Sequence, residues 1–373
     1  MREGWEIKKL GEVCEILDHL RVPITKKDRQ SGIYPYYGAS GVQDYVNSYL
    51  FDGRYLLVGE DGAKWGTNDK SAYIIEGKSW VNNHAHILKI DKEVNDKLIE
   101  YYLVFKDLNE FITGAIVPKL TQQALRNIPI PVPPISEQER IVAELDLLSG
   151  IIERKRQQLK ELDNLAQSIF YDMFGDPVGN DKGWNIVKFA DGCVEIGDGL
   201  HGTPNYDVEG TIPFINGTNL IDGRIIVTDR TLFVNETEAM KYRVKMDTNT
   251  VLLSINGTLG KTAIYQDENV ILGKSACFCR LKKEYFNVVF VERLMNTDYF
   301  KKFLEENSSK STIKNVGLKS IRNYKIVVPS LFLQQSFATK IEAIEKQKEL
   351  IKQSLNDVQT LFNSRMDYYF SEK

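Results

Sequence analysis

Four small groups of residues in this chain of 373 have types and spacing that suggest chemistry. Gly260-Lys261-Thr262 ends like a phosphate-binding loop, in which bare backbone wraps the phosphates and a lysine offsets their charge. Such a loop needs a glycine five positions before Gly260, and Ile255 stands there; its β-branched side chain blocks the approach, so a nucleotide site is not expected. His84 and His86 alternate, as ligands on one face of a strand would, but no third ligand is near in sequence and a metal is not expected. Cys277 and Cys279 alternate in the same way and read as small core residues. Glu60 and Asp61 sit in Gly59-Glu60-Asp61-Gly62, whose composition is that of a turn rather than an acid–base pair. No Ser/His/Asp set stands out, and the chain has only four histidines to supply a base.

The elements around these groups repeat. Val251–Ile255 and Thr262–Tyr265 read as short strands joined by a glycine-rich turn. Similar runs occur at Ile225–Thr228, Val270–Leu272 and Cys277–Leu281, and earlier at Tyr55–Val58, Ser71–Ile75 and Ala85–Ile90. Helical stretches follow at Asp96–Phe111 and Val288–Glu305. The segment from Gly4 to Ile16 is echoed from Gly183 to Ile196, with Trp5 matched to Trp184. The segment 124–133 is echoed at 320–329, with Arg126-Asn127 matched to Arg322-Asn323. The second match, at an offset of 196 positions, continues without a gap through Phe174 and Phe370. The chain is therefore one unit written twice, the second copy 17 residues longer in its globular part.

Each copy ends in a long helix. In the first, Pro133 and Pro134 stop a strand, and Ser136 with Glu139 has the spacing of a capping box; Phe332 replaces the serine in the second copy. Leu145, Leu148, Ile152, Lys155, Leu159, Leu162, Ala166, Ile169 and Met173 step by threes and fours, and so do their mates from Ile341 to Tyr369. Lys155, Lys348 and Arg365 interrupt the stripes. A helix from Ser136 to Phe174 would be roughly 58 Å long. A stripe of that length seeks another helix, and the simplest partner is the other copy, in an antiparallel pair. Two globular units so joined suit the reading of two sites on duplex DNA.

Bulk properties add exclusions. A net charge of −3 argues against coating DNA by charge alone but leaves room for local basic patches. Four scattered cysteines do not make a disulfide framework. With neither a membrane-length apolar run nor a leader-like segment, a cytoplasmic protein is expected.

The stretch 117–142, from Val117 through the prolines to Val142, and the helix that follows it to Phe174, resemble the junction of recognition domain and helix in type I restriction–modification specificity subunits. The stretch from Ser311 to Gln335 resembles the same junction again. The segments 34–46, 50–62, 211–220 and 252–264 resemble recurrent motifs of target recognition domains. The resemblance implies α/β (α+β) recognition domains, pseudo-repeated and separated by two long helices in an antiparallel coiled coil. The implied boundaries are 1–134 and 177–330 for the recognition domains, and 135–176 and 331–373 for the spacer helices. It also implies sequence-specific binding of a bipartite double-stranded DNA target, one part per domain. The implied partners are two methyltransferase (modification) subunits, which bind S-adenosylmethionine and methylate adenine, and restriction/motor subunits. No catalytic site and no cofactor of its own are implied. In agreement, the chain has neither an Asn/Asp-Pro-Pro-aromatic motif nor a glycine-rich cofactor loop after a strand. The alternative is a coiled-coil scaffold binding other proteins through two globular modules.

DNA contacts are expected from loops rich in amide, hydroxyl and basic side chains. In the first unit these are Lys64, Trp65, Asn68 and Lys70, then Lys119, Thr121 and Gln122. In the second they are His201 and Thr203; Asn216, Thr218 and Asn219; Asn256, Thr258 and Lys261; and Lys310 and Lys314. On this reading Lys261 and its glycines meet phosphates of DNA rather than of a nucleotide.

Overall fold

The computed structural model describes residues 4–371. It contains two compact units, Met1–Arg156 with Gln353–Lys373, and Gln157–Lys352. Each long helix, Ile135–Phe174 and Leu331–Phe370, is continuous over 40 residues and gives one part to each unit.

The first unit is built on a six-stranded sheet. Its order is Cys14–Ile16, Ala85–Ile90, Phe51–Gly59, Ala72–Val81, Ser31–Gly38, Gly41–Val46. Successive side chains of a strand point to opposite faces, and both faces here are apolar. Leu56, Val58 and Leu88 pack on one side with the helix Asp96–Phe105 and with Ile141 and Leu145 of the first long helix. Leu57, Tyr73, Ile75 and Ile87 pack on the other.

The second unit keeps the same centre in a four-stranded sheet, Cys193–Asp198, Ala276–Leu281, Thr250–Ser254, Thr262–Ile264. It adds a three-stranded sheet of Leu232–Val234, Ile212–Ile215 and Ile271–Leu272. Cys277 and Cys279 are buried core residues, as expected. The helix expected over Val288–Glu305 is two helices, Val288–Met295 and Asp298–Glu306. Thr297 causes the break: its hydroxyl accepts from Phe300 N–H and so starts a new helix. The helix expected over Asp96–Phe111 stops at Phe105, because Leu108 N–H is drawn to Trp65 O instead.

One device occurs in both units. Gln138 in the first turn of the first long helix is buried; its amide nitrogen donates to Pro133 O, and its oxygen accepts Asn95 N–H at 2.7 Å. Gln334, also buried, donates to Pro329 O and accepts Asn287 N–H at 2.9 Å. Asn95 and Asn287 each cap the helix that follows them. One amide thus ties strand end, helix start and a neighbouring helix cap, and leaves none of these buried groups unsatisfied. The long helix begins at Ile135. Ser136 therefore lies inside the first turn and is not the cap expected from its spacing with Glu139.

The helices pair antiparallel. In the first unit Glu144 meets Arg365, and Tyr369 donates to the same carboxylate at 2.5 Å. In the second Asp163 meets Lys348 at 2.7 Å. Lys348 and Arg365, which interrupt the apolar stripe, are thus neutralised by the opposing helix. None of the stripe positions is exposed.

Candidate nucleic-acid interface

Strand pairing aligns the units residue by residue. Leu88 lies opposite both Ile16 and Leu56, and Cys279 opposite both Ile196 and Val251. From these anchors His86 corresponds to Cys277, Gly59 to Ser254, Glu60 to Ile255 and Asp61 to Asn256. Isolated bridges Asp61–Lys119 and Asn256–Asn315 carry the match to Lys119 and Asn315. Asp18 corresponds to Asp198. The same end of each central sheet therefore gathers four segments: the turn after the first strand, the loop after the Phe51–Gly59 or Thr250–Ser254 strand, the loop entering the third, and the segment before a short helix.

In the second unit these segments form a concavity of about 450 Å³ lined by Asp198, His201, Ile255, Asn256, Lys274, Asn315 and Val316–Leu318. The loops are stitched together: Gly257 N–H donates to Lys314 O, Val316 N–H to Ile255 O, and Asn256 Nδ2 to Asn315 Oδ1 at 3.2 Å. His201, largely exposed, lies 2.8 Å from Asp198. Lys261 is half-buried, with its N–H on Ser254 Oγ. Ile255 is a core residue 3 % exposed, which accounts for the broken phosphate-loop pattern: the glycine a nucleotide would need is a packing residue here. Lys310, Lys314 and Thr258 are exposed on the same loops. Thr203 and Thr218 are exposed but do not line the concavity. Asn216 is tied by Ser275 Oγ at 2.9 Å.

In the first unit the corresponding place is filled by charged side chains. Asp18, Arg21, Glu60, His86 and Lys119 form one network, with Lys119 Nζ 2.6 Å from Glu60 and Arg21 paired with Glu60 and Asp18. Gln122 donates to Asp18 at 3.1 Å. Asp18, Glu60 and His86 lie close enough together to suggest a metal, but Arg21 and Lys119 already occupy the carboxylates as counter-ions. Burial works to raise both carboxyl groups. For Asp18 the bonds and charges of His86 and Arg21 outweigh it, and for Glu60 those of Lys119 and Arg21 do, so both lie below their ordinary values. Thr121 caps a short helix by accepting Ala124 N–H. Lys64, Asn68 and Lys70 are exposed on the 60–70 loop, whose Asn68 N–H is held by Val104 O.

Two expected contact residues are corrected. Trp65 is buried and its indole N–H donates to Gly59 O at 3.1 Å, so it anchors its loop to the core. Asn219 is buried, with its amide donating to Ile226 O and Thr231 Oγ1, and it shapes a turn. Residue type alone did not reveal Lys274 and Asn315, which the fold brings to the second unit's concavity; alignment of the copies was the signal that points to Asn315.

Acid should act unequally on the two units. Groups with depressed folded values contribute stability that is present above the ordinary carboxylate range and is lost as pH falls through the depressed values. Asp18 and Glu60 are such groups; at Glu60's place the second unit has Ile255. Hydrogen exchange at the Leu120 and Glu60 amides should therefore quicken below about pH 4, relative to that at Val316 and Ile255. Equal quickening would remove the network as the cause.

The sequence matches the Type I restriction modification DNA specificity domain over residues 2–164 and again over 182–360. A Haemophilus influenzae chain, S.HindORF215P, assigned as a type I restriction enzyme specificity subunit, is 28% identical over 381 residues, covering 98% of this chain and 95% of that one. The type I restriction enzyme MjaVIII specificity subunit of Methanocaldococcus jannaschii is 21% identical over 392 residues, covering 96% and 92%. In fold, the type I restriction–modification S subunit from M. genitalium superposes with a TM-score of 0.63 at 14% identity, over 99% of this chain and 96% of that one. Among the described residues no helix is long and apolar enough to cross a membrane. With its unit written twice and the family's domain matched once to each copy, the chain belongs to the specificity subunits of type I restriction–modification systems.

Proposed function

We propose that the chain is the non-catalytic DNA-reading subunit of its system, each recognition domain, 1–134 and 177–330, taking one part of a bipartite duplex target. The observation that carries this is the pair of equivalent surfaces at the sheet ends, alike in backbone and different in side chains. A duplicated frame with divergent surface residues suits an asymmetric target. The exposed members of the expected set, with Lys274 and Asn315, touch the duplex. Two methyltransferase subunits and the restriction/motor subunits are its protein partners, and work on DNA places it in the cytoplasm. The scaffold alternative is not favoured, since the relatives are specificity subunits. Selection from a random-duplex library by the chain with its methyltransferase subunits tests the reading. Two enriched half-sites are expected; no enrichment would sink it.

Lys261→Ala should weaken binding uniformly across sequences. Removing one cation from a phosphate lowers the salt slope by about one, and ATP binding should be undetectable in both proteins. Titration of affinity against salt measures the slope. A changed sequence preference would mean that Lys261 reads bases.

A further inference from the structure

The short strands Ile112–Thr113 and Lys119–Leu120 are joined by Gly114-Ala115-Ile116-Val117-Pro118, five residues without a polar side chain. All five are exposed, Ile116 at 94 % and Val117 at 62 %. Large aliphatic side chains usually go inside, and at the base of this hairpin they do: Ile112 packs on the core and Leu120 is fully buried.

The backbone holds the tip out. Gly114 has φ +95°, a conformation that L side chains rarely adopt, and a Cβ there would meet Val117 O at 2.4 Å. Below it Thr113 pairs with Lys119, and Pro118 fixes the φ of the last loop residue. The base is tied to the end of the central sheet. Lys119 bridges to Asp61, its Nζ lies 2.6 Å from Glu60, and Leu120 N–H donates to Glu60 O. Ile116 therefore projects from the rim that carries Lys119 and Gln122. A duplex seated on that rim meets the tip. Its phosphates offer charge and its base edges offer donors and acceptors, none of which an isoleucine side chain can engage. The apolar group on a base edge is the 5-methyl of thymine, in the major groove.

We propose that Ile116 is a specificity-determining residue of the first unit, laid against the 5-methyl group of a thymine in its half of the target. This rests on the DNA-reading function above and adds the chemical identity of one base pair, read without a hydrogen bond. The repeat offset puts Thr312 at the corresponding place in the second unit, where Lys310, Ser311 and Lys314 flank the segment. The second half-site is thus met by polar chemistry at this position.

The test uses the chain with its methyltransferase subunits. Selection from a random-duplex library gives the target. Each thymine of that target, on either strand, is then replaced singly by uracil, which removes the methyl group and keeps every hydrogen-bonding group. In wild type a replacement within one half-site should weaken binding about threefold to fivefold, the worth of one buried methyl group. In Ile116→Ser the same replacement should have no effect, and Ile116→Val should keep most of the response. The side chain stands in water in the free chain, so both variants should fold. A uracil response that persists in Ile116→Ser overturns the proposal, and so does a target in which no thymine responds. If Ile116→Ser binds more weakly and bends the duplex less, with no uracil response in wild type, the tip is a wedge between base pairs and the methyl reading is wrong. A wild type that enriches no half-site at all defeats the DNA-reading function itself, and this inference with it.

Discussion

Residues 1–176 produced alone should form a two-fold dimer. The first unit's core is closed by Met366, Tyr369 and Phe370, all buried against Ile141, Val142 and Leu145. A fragment ending at 176 lacks them but carries their counterparts, Phe170, Met173 and Phe174, at the repeat offset. In a dimer each copy's helix end can seat on the other copy's core. Three large apolar side chains per copy give about 9–18 kcal/mol of gross burial for the pair. Association costs about 4–15 kcal/mol, the same order as this burial, so the dimer will be concentration-dependent. The seam will be weaker than the native one, because Arg365, which pairs with Glu144, is replaced by Ile169. Light scattering across a concentration series measures the mass. A folded monomer at all concentrations would show that the first unit closes without a second helix.

Phe174→Ala should destabilise the second unit by about 3–5 kcal/mol. Its ring, 1 % exposed, sits 4.7 Å from Phe290, 5.1 Å from Phe337 and 5.1 Å from Phe170, centroid to centroid. The cavity left by truncation would lie among aromatic rings, which cannot close it without breaking their own packing. Thermal unfolding should shift down by roughly 6–20 °C for a unit of this size, and exchange protection should fall at Leu294 and Ile321 before it falls at Leu98 and Leu125. A shift of a degree or two would mean that the aromatic cluster repacks.

The repeat, the long helices and their pairing were legible because they rest on periodicity. A stripe stepping by threes and fours needs no knowledge of distant residues, and a fixed offset between copies needs none either. The strand Ala85–Ile90 was read at its observed bounds for the same reason. Breaks in the shorter helices were not legible, since they depend on Thr297 capping and on Leu108 bonding to Trp65, whose loop is far away in sequence. The candidate surface was half legible. Lys119, Asn256 and Lys314 were found from residue type, but Trp65 and Asn219 have the same polar chemistry and spend it on Gly59 and Ile226 inside the fold. Residue type reports what a side chain can bond, and only the fold decides whether water or backbone is the partner. His86 was noticed only for its alternation with His84, from which no metal was expected; its bonding partners, Asp18 and Leu120, come from elements 68 and 34 positions away.

The first unit is interrupted in sequence: its last contribution, Gln353 onward, follows the whole of the second. On the ribosome the order of completion is therefore reversed. The second unit is contiguous and can close as soon as Lys352 has emerged, but the first must wait through its synthesis, about 10–40 s at about 5–20 residues per second. During that interval Ile141, Val142 and Leu145 lack the side chains that cover them, and two nascent chains on one message would each offer the other a helix end of the right shape. The part of the protein made first is thus the part exposed longest to wrong partners, and slowing translation between Arg156 and Gln353 should raise the yield of chains exchanged in this way.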